Sequence, residues 1–484
     1  MLFNSYIFIL CFLPICIIGY FTLNHIKQTK LAQIFLLAMS LWFYGFFNLY
    51  YTLIIIFSII VNYSVYKLFF KGSYRKGLLV VALLFNLGIL FYFKYYDFFI
   101  QNVNFIFGSN IALKKVILPL GISFFTFQQI SFIIDAYKGE VPDYGFINYA
   151  SFVTFFPQLI AGPIVVHNEL VPQFLNSAKK RFQWENFARG IYIFTLGLGK
   201  KVILADTFGN AVNWGFSNIA ELDSTNAIIV MLSYTFQIYF DFSGYCDMAI
   251  GIGQMLNIDL PLNFNSPYKA LTITDFWKRW HITLTRFFTK YLYIPLGGNR
   301  KGRFRLYVNI LIIYFVSGLW HGANWTFILW GLLHGLFMII VRHKKDFFER
   351  LHPALNWIIT FVFVNLTWIF FRADTIKDAL RIIYRISCLN FSGINSNIAE
   401  CFNLPEFQWI FNVLLDYDIL STWPFFFLSV FMCIAFMITL GSENTYEKMK
   451  KFKPTPGKLL VLPFLLVWCI FSFSGISTFL YFNF

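Results

Sequence analysis

Residues 306–341 read LYVNILIIYFVSGLWHGANWTFILWGLLHGLFMIIV, a run of 36 residues without Lys, Arg, Asp or Glu. As one helix it would be about 54 Å long, nearly twice the ~30 Å hydrocarbon core of a bilayer. The run must therefore turn, and Gly322-Ala323-Asn324 is the place whose residue types favour it. Arg300, Lys301, Arg303 and Arg305 precede the run, and Arg342, His343, Lys344 and Lys345 follow it. Basic flanks mark the cytoplasmic side, so both ends lie there. The first arm, 306–321, spans only about 24 Å as helix. It stops short of the outer face and leaves His321 within the membrane beside the turn. A re-entrant apolar hairpin of this kind predicts a helical membrane protein.

The rest of the chain agrees. Of 484 residues, 58% are hydrophobic and 13% charged, and mean hydropathy is +0.64. Soluble domains are about 25% charged. This composition excludes soluble multidomain, disordered and disulfide-framework classes. Uncharged runs at 2–23, 31–47, 49–66, 116–134, 144–168, 224–240, 353–371, 423–441 and 459–484 predict spans, with others near 78–96 and 187–205. The expectation is an all-α, polytopic integral membrane protein. It has roughly 11 transmembrane helices with re-entrant and interfacial pieces, in one domain over 1–484. Lys27 and Lys30 follow the first span, and Lys67, Lys71, Arg75 and Lys76 follow the third. Placing these loops inside puts the N-terminus outside. The lysine-rich stretch 442–458, followed by one last span, puts the C-terminus outside too. The net charge of +15 then reads as topology, with no nucleic-acid partner implied. Seven scattered cysteines form no metal pattern. The start of the chain lacks a basic region and a cleavage site, so residues 2–23 read as a retained span.

Ionisable groups inside a membrane are expensive and so are candidate sites. His321 beside the turn is a candidate general base, or else a histidine hydrogen-bonded between helices. His334 in the returning arm reads more readily as structural. A second cluster is Asp275-Phe276-Trp277-Lys278-Arg279-Trp280-His281, within a segment 269–305 that holds nine Lys/Arg and one acid. Trp277 and His281 at i, i+4 are expected on one face of a cytoplasmic interfacial helix. That helix could simply anchor the chain. It could also form a mouth where Lys278, Arg279, Arg300 and Arg303 meet the phosphates of a donor. Asp135, Asp206, Asp241 and Asp247 are expected to be buried hydrogen-bonding groups. Gly197-Leu198-Gly199-Lys200-Lys201 lacks the spacing of a phosphate loop, and its lysines are expected partly at the interface.

The run Ser317-Gly-Leu-Trp-His321-Gly-Ala-Asn-Trp-Thr-Phe-Ile-Leu-Trp-Gly331 resembles the histidine motif of membrane-bound O-acyltransferases. Asp275-Phe-Trp-Lys-Arg-Trp-His281-Ile-Thr-Leu-Thr resembles their second histidine motif. Tyr291-Leu-Tyr-Ile-Pro-Leu-Gly-Gly-Asn-Arg300, Pro119-Leu-Gly-Ile-Ser-Phe, Phe156-Pro-Gln-Leu-Ile-Ala-Gly-Pro163 and Tyr239-Phe-Asp-Phe-Ser-Gly-Tyr245 narrow the match. These motifs, spread over about 118–335, resemble the bacterial branch that O-acetylates alginate and peptidoglycan. The teichoic-acid D-alanyl transferases are similar as well. Where many relatives carry an acid before the Tyr-Leu-Tyr-Ile-Pro segment, this chain has Lys290.

The resemblance implies a funnel through a helical core in the bacterial inner membrane, with His321 at its narrowest point and His281 as a helper. Trp320, Asn324 and Asp241 would support the site. It implies no bound cofactor or metal. An acyl thioester, acetyl-CoA foremost, arrives from the cytoplasm. An extracellular polysaccharide, or a secreted esterase-like acetyltransferase partner, takes the acyl group outside. Phe479-Leu-Tyr481-Phe-Asn-Phe484 ends the last span, 459–484. It resembles the terminal aromatic motif of small partners in the D-alanylation system, where a tyrosine is thought to carry the acyl group. Tyr481 is thus a candidate relay, or part of an aromatic interface belt. Two alternatives stay open: D-alanyl or other acyl transfer from a carrier protein, and a transporter without acyl chemistry.

Overall fold

A computed structural model describes residues 1–72, 74–404, 424–474 and 479–480. The described residues are helical, with no strand among them. The principal helices are α1 (Ile7–His25), α2 (Thr29–Gly45), α3 (Leu49–Phe69), α4 (Arg75–Phe107), α5 (Ile122–Tyr137), α6 (Trp184–Gly199) and α7 (Ser224–Met255). Then follow α8 (Ile273–Arg279), α9 (Ile282–Phe288), α10 (Gly302–His321), α11 (Trp325–His343), α12 (Pro353–Arg372), α13 (Phe425–Gly441) and α14 (Pro456–Phe471). By length and composition, six of the described helices can each cross a bilayer: α1, α3, α4, α10, α11 and α12. Two further apolar helices, α13 and α14, are shorter. The run 224–240 belongs to α7, which is 32 residues long and buried throughout residues 233–255. A helix buried on all sides needs no continuous apolar surface, and α7 carries Gln237, Asp241, Ser243 and Asp247.

The lysines expected at the interface are in the interior instead. Lys201 is 1% exposed, and its ammonium lies 2.7 Å from both Asp206 and Asp241. Lys200 lies 2.7 Å from Asp247. Asp206, Asp241 and Asp247 are therefore ion-pair partners, not merely hydrogen-bonding groups. Such partners offset the cost of burying a charge. Cys388 and Cys401 both carry free thiols.

The decisive run folds as read, into α10 and α11 joined by Gly322-Ala323-Asn324. Asn324 caps α11 by accepting the Thr326 N–H at 3.0 Å, and its amide donates to the Asp374 carbonyl at 2.9 Å. The two arms pack closely because glycines face each other's backbone. A Cβ on Gly318 would lie 2.4 Å from the Phe327 carbonyl oxygen, and one on Gly331 would lie 2.2 Å from that of Tyr314. Small residues at a crossing let apolar helices gain backbone contact. This crossing fixes the last turn of α10, where His321 sits.

Candidate functional site

His321 is the final residue of α10 and is 2% exposed. Its Nδ1 lies 2.6 Å from the Ser317 carbonyl oxygen. A carbonyl only accepts, so Nδ1 carries the proton and Nε2 keeps the lone pair in the neutral ring. That is the tautomer a general base needs. Aromatic rings enclose it: Trp320, Trp330 and Phe371 have centroids 4.9, 5.0 and 5.3 Å from the imidazole. The indole N–H groups of Trp320 and Trp330 are buried with no acceptor among the described residues.

His334 differs. Its Nδ1 accepts from the Trp277 indole N–H at 3.2 Å, and its Nε2 lies 2.9 Å from the Thr367 hydroxyl. Both nitrogens are engaged, so His334 braces α8 against α11 and α12.

The second histidine is not where helical spacing put it. Trp280 is extended, ending α8, and His281 adopts φ +46° before α9 begins. Trp277 and His281 therefore do not share a helix face, and His281 is fully buried, not at the cytoplasmic surface. The cause is Asn263. Its backbone carbonyl accepts the Ile282 N–H at 3.0 Å, and its side-chain oxygen accepts from the Thr283 hydroxyl at 2.9 Å. The same oxygen lies 3.1 Å from His281 Nδ1, which must be the donor there. Non-glycine residues with positive φ cluster at functional sites. The Trp320 ring links the two histidines, 6.1 Å from His281 and 4.9 Å from His321.

A cavity of about 340 Å³ approaches this region, with Lys278 and Arg342 among its lining and Trp277, Thr285 and Tyr314 along its wall. Ser317, whose carbonyl holds His321, also lines it. A second cleft of about 330 Å³ shares Trp277, Lys278 and Thr285, and adds Arg286 and Lys290. Of the four expected donor contacts, the structure thus brings Lys278 to the cavity. Arg279 is held by Asp275 at 2.9 Å and by the Asn265 carbonyl. Arg300 and Arg303 are exposed and line none of these cavities. Arg342 and Arg286 were missed because each reads in sequence as a topology charge. Lys290 pairs with Asp135 at 3.0 Å and Glu140 at 3.2 Å. Asp135 also accepts from the Tyr291 hydroxyl at 2.8 Å.

Asp241, besides pairing with Lys201, accepts the Leu480 N–H at 3.0 Å. The Lys201 ammonium lies 4.8 Å from the centre of the Phe479 ring. Tyr481 lies outside the described residues. Among the described residues, no three His, Cys, Asp or Glu side chains converge to hold a metal ion.

The candidate site is thus a buried histidine at the end of an apolar hairpin, whose Nδ1 partner Ser317 lines a cavity that also holds Lys278 and Arg342. Residues 36–374 match the MBOAT, membrane-bound O-acyltransferase, family. The chain belongs to that family and is a multi-pass membrane O-acyltransferase. It is 41% identical over 524 aligned positions to the peptidoglycan O-acetyltransferase of Helicobacter pylori, covering 100% of this chain and 98% of that protein. It is 37% identical to the probable alginate O-acetylase AlgI of Pseudomonas aeruginosa, over 79% of this chain and 74% of that one. Similarity to the teichoic acid D-alanyltransferase of Lacticaseibacillus rhamnosus is 26%, over 48% of this chain and 62% of that one.

Proposed function

We propose that this chain, as a single domain over 1–484 in the bacterial inner membrane, takes acetyl from a cytoplasmic thioester and delivers it outward for O-acetylation of a surface polysaccharide. Acetyl-CoA is the donor and peptidoglycan the leading acceptor, with an alginate-like polymer second. Similarity along the whole length of a peptidoglycan O-acetyltransferase supports that order. The observation that carries the chemistry is the cavity that runs from Lys278 and Arg342 to Ser317. The donor's phosphates meet Lys278 and Arg342, and its thioester lies along the apolar wall. His321 Nε2 takes the proton of the accepting hydroxyl as its oxygen attacks the thioester carbonyl. The tetrahedral intermediate then collapses, the C–S bond breaks, and the thiolate leaves and regains a proton. His281 helps to hold the reacting groups through Trp320.

The accepting hydroxyl is that of Tyr481, which relays acetyl to a secreted esterase-like partner or to the polymer. Asp241 accepts the N–H of Leu480, the residue before Tyr481, which supports a role for Asp241 in that relay. Both termini lie outside. The test compares acetate released by mild base from cell-wall and capsule fractions of cells expressing wild type or His321→Ala at matched protein level. Loss of cell-wall acetate in the variant is expected, by about 10²–10⁴-fold in rate. Undiminished acetate removes His321 from the mechanism, and base-labile D-alanine in place of acetate moves the chain to the D-alanyl reading.

A further inference from the structure

An α-helix ends with four carbonyls that have no partner within the helix. In α10 these belong to Gly318, Leu319, Trp320 and His321, and each has a recorded partner. Gly318 accepts from the Gly322 N–H at 3.3 Å. Leu319 accepts from the Tyr95 hydroxyl at 3.0 Å. Trp320 accepts from the Lys94 ammonium, which also donates to the His321 carbonyl at 3.4 Å. The ammonium also lies 3.3 Å from the Ser123 hydroxyl and 5.8 Å from the centre of the Trp320 ring. Two neighbouring residues of α4 thus close three of the four carbonyls, from a site more than 220 residues upstream.

Two further features single out this contact. Lys94 and Tyr95 lie in the π-helical turn Phe91–Tyr95, an interruption of α4. It is one of five π-helical segments among the described residues, and such turns are frequent at functional sites. Lys94 also lies within a candidate span, where a charge is costly. Yet no carboxylate among the described residues is within ion-pair distance of it. The negative end of the α10 dipole stands in for a counter-ion.

We propose that Lys94, with Tyr95 as its second arm, is a positioning residue for acyl transfer. The pair locks the last turn of α10 in the register in which Ser317 fixes His321. This inference rests on the reading of His321 as the base. Lys94 acts in this role through the backbone carbonyls of Trp320 and His321.

The test uses the full chain in lipid vesicles, with acetyl-CoA as donor probe and purified cell wall as acceptor. Thiol release gives kcat and donor KM, and tryptophan fluorescence gives the unfolding midpoint. Lys94→Met should lower kcat by about 30–100-fold, the effect of misplacing a catalytic group by about 1 Å. Donor KM should change by less than about twofold, because uniform binding is untouched. Lys94→Arg, which keeps the charge and the donors, should recover at least about tenfold of the loss. Tyr95→Phe removes one oxygen and should lower kcat about three- to tenfold. Unchanged kcat in folded Lys94→Met overturns the proposal. So does equal impairment of Met and Arg variants in step with the unfolding midpoint, which is what packing alone would give. If Lys94→Met fails to fold, Tyr95→Phe decides, and an unchanged kcat there overturns the lock. His321→Ala runs alongside: activity in that variant removes the base assignment itself. Its silence, with active Lys94 and Tyr95 variants, removes only the lock.

Discussion

Gly318→Ala adds one methyl group at the crossing of α10 and α11. The new Cβ would lie 2.4 Å from the Phe327 carbonyl oxygen, with the Ile328 Cα at 3.2 Å. Carbon-to-oxygen contacts settle at about 3.3–3.6 Å. Both obstacles are backbone, so no side chain can swing aside, and the arms must part by roughly 1 Å. Overpacking of this kind costs about 1–3 kcal/mol. His321 is three residues further along the same turn and moves with it. A displacement of about 1 Å at a catalytic group lowers rate by about 10²-fold. The expected result is a modest fall in unfolding midpoint and a large fall in thiol release from acetyl-CoA. Gly88→Ala is the control, because a Cβ there meets nothing within 4 Å. Helix propensity alone makes that change neutral or stabilising, by up to about 1 kcal/mol. If Gly318→Ala and Gly88→Ala have equal activity and stability, the crossing does not set the position of His321 and the reasoning fails.

Lys201→Met removes the ion-pair partner of the buried Asp241 carboxylate and of the part-exposed Asp206 and should cost about 3–5 kcal/mol, read as a lower unfolding midpoint. Adding Asp241→Asn should regain part of it, and a single variant as stable as wild type would show the pair to be dispensable. Lys278→Gln with Arg342→Gln should raise the acetyl-CoA KM more than about tenfold while kcat stays within about threefold, the mark of lost uniform binding. Arg300→Gln with Arg303→Gln should leave KM alone, and the opposite pattern would relocate the donor mouth. Tyr481→Phe keeps the ring and removes the hydroxyl. Cell-wall acetate should vanish while acetyl-CoA binding persists, and full acetylation would leave Tyr481 an interface residue.

The hairpin was legible because its evidence is local: an uncharged run, a turn tripeptide and basic flanks within about 50 residues. The position of His321 beside the turn was legible for the same reason. What escaped depends on distant partners. Lys201 reads as an interfacial charge until Asp241, 40 residues later, is seen against it. The break before His281 carries no glycine or proline signal, since its cause is Asn263, 18 residues upstream. Arg342 reads as a topology charge, and only the fold brings it to Lys278 across a shared cavity. The run 224–240 was legible as apolar, but not that α7 is sheltered by protein and carries polar groups along its buried length.

The rings around His321 bear on yield as much as on rate. A base able to take a proton from an alcohol can equally take one from water, and a thioester attacked by water is simply lost. Which nucleophile wins depends on which one can wait beside the imidazole. The indole N–H groups of Trp320 and Trp330 lack acceptors among the described residues, so each is a donor that a water oxygen would satisfy. Water needs two to four polar partners to stay in a buried site, so polarity alone does not keep it out. The rings of Trp320, Trp330 and Phe371 instead offer stacking area to a hydroxyl carried on an aromatic ring or a sugar, a contact that water lacks. With His321 as the base proposed above, that contact favours a tethered acceptor over the solvent.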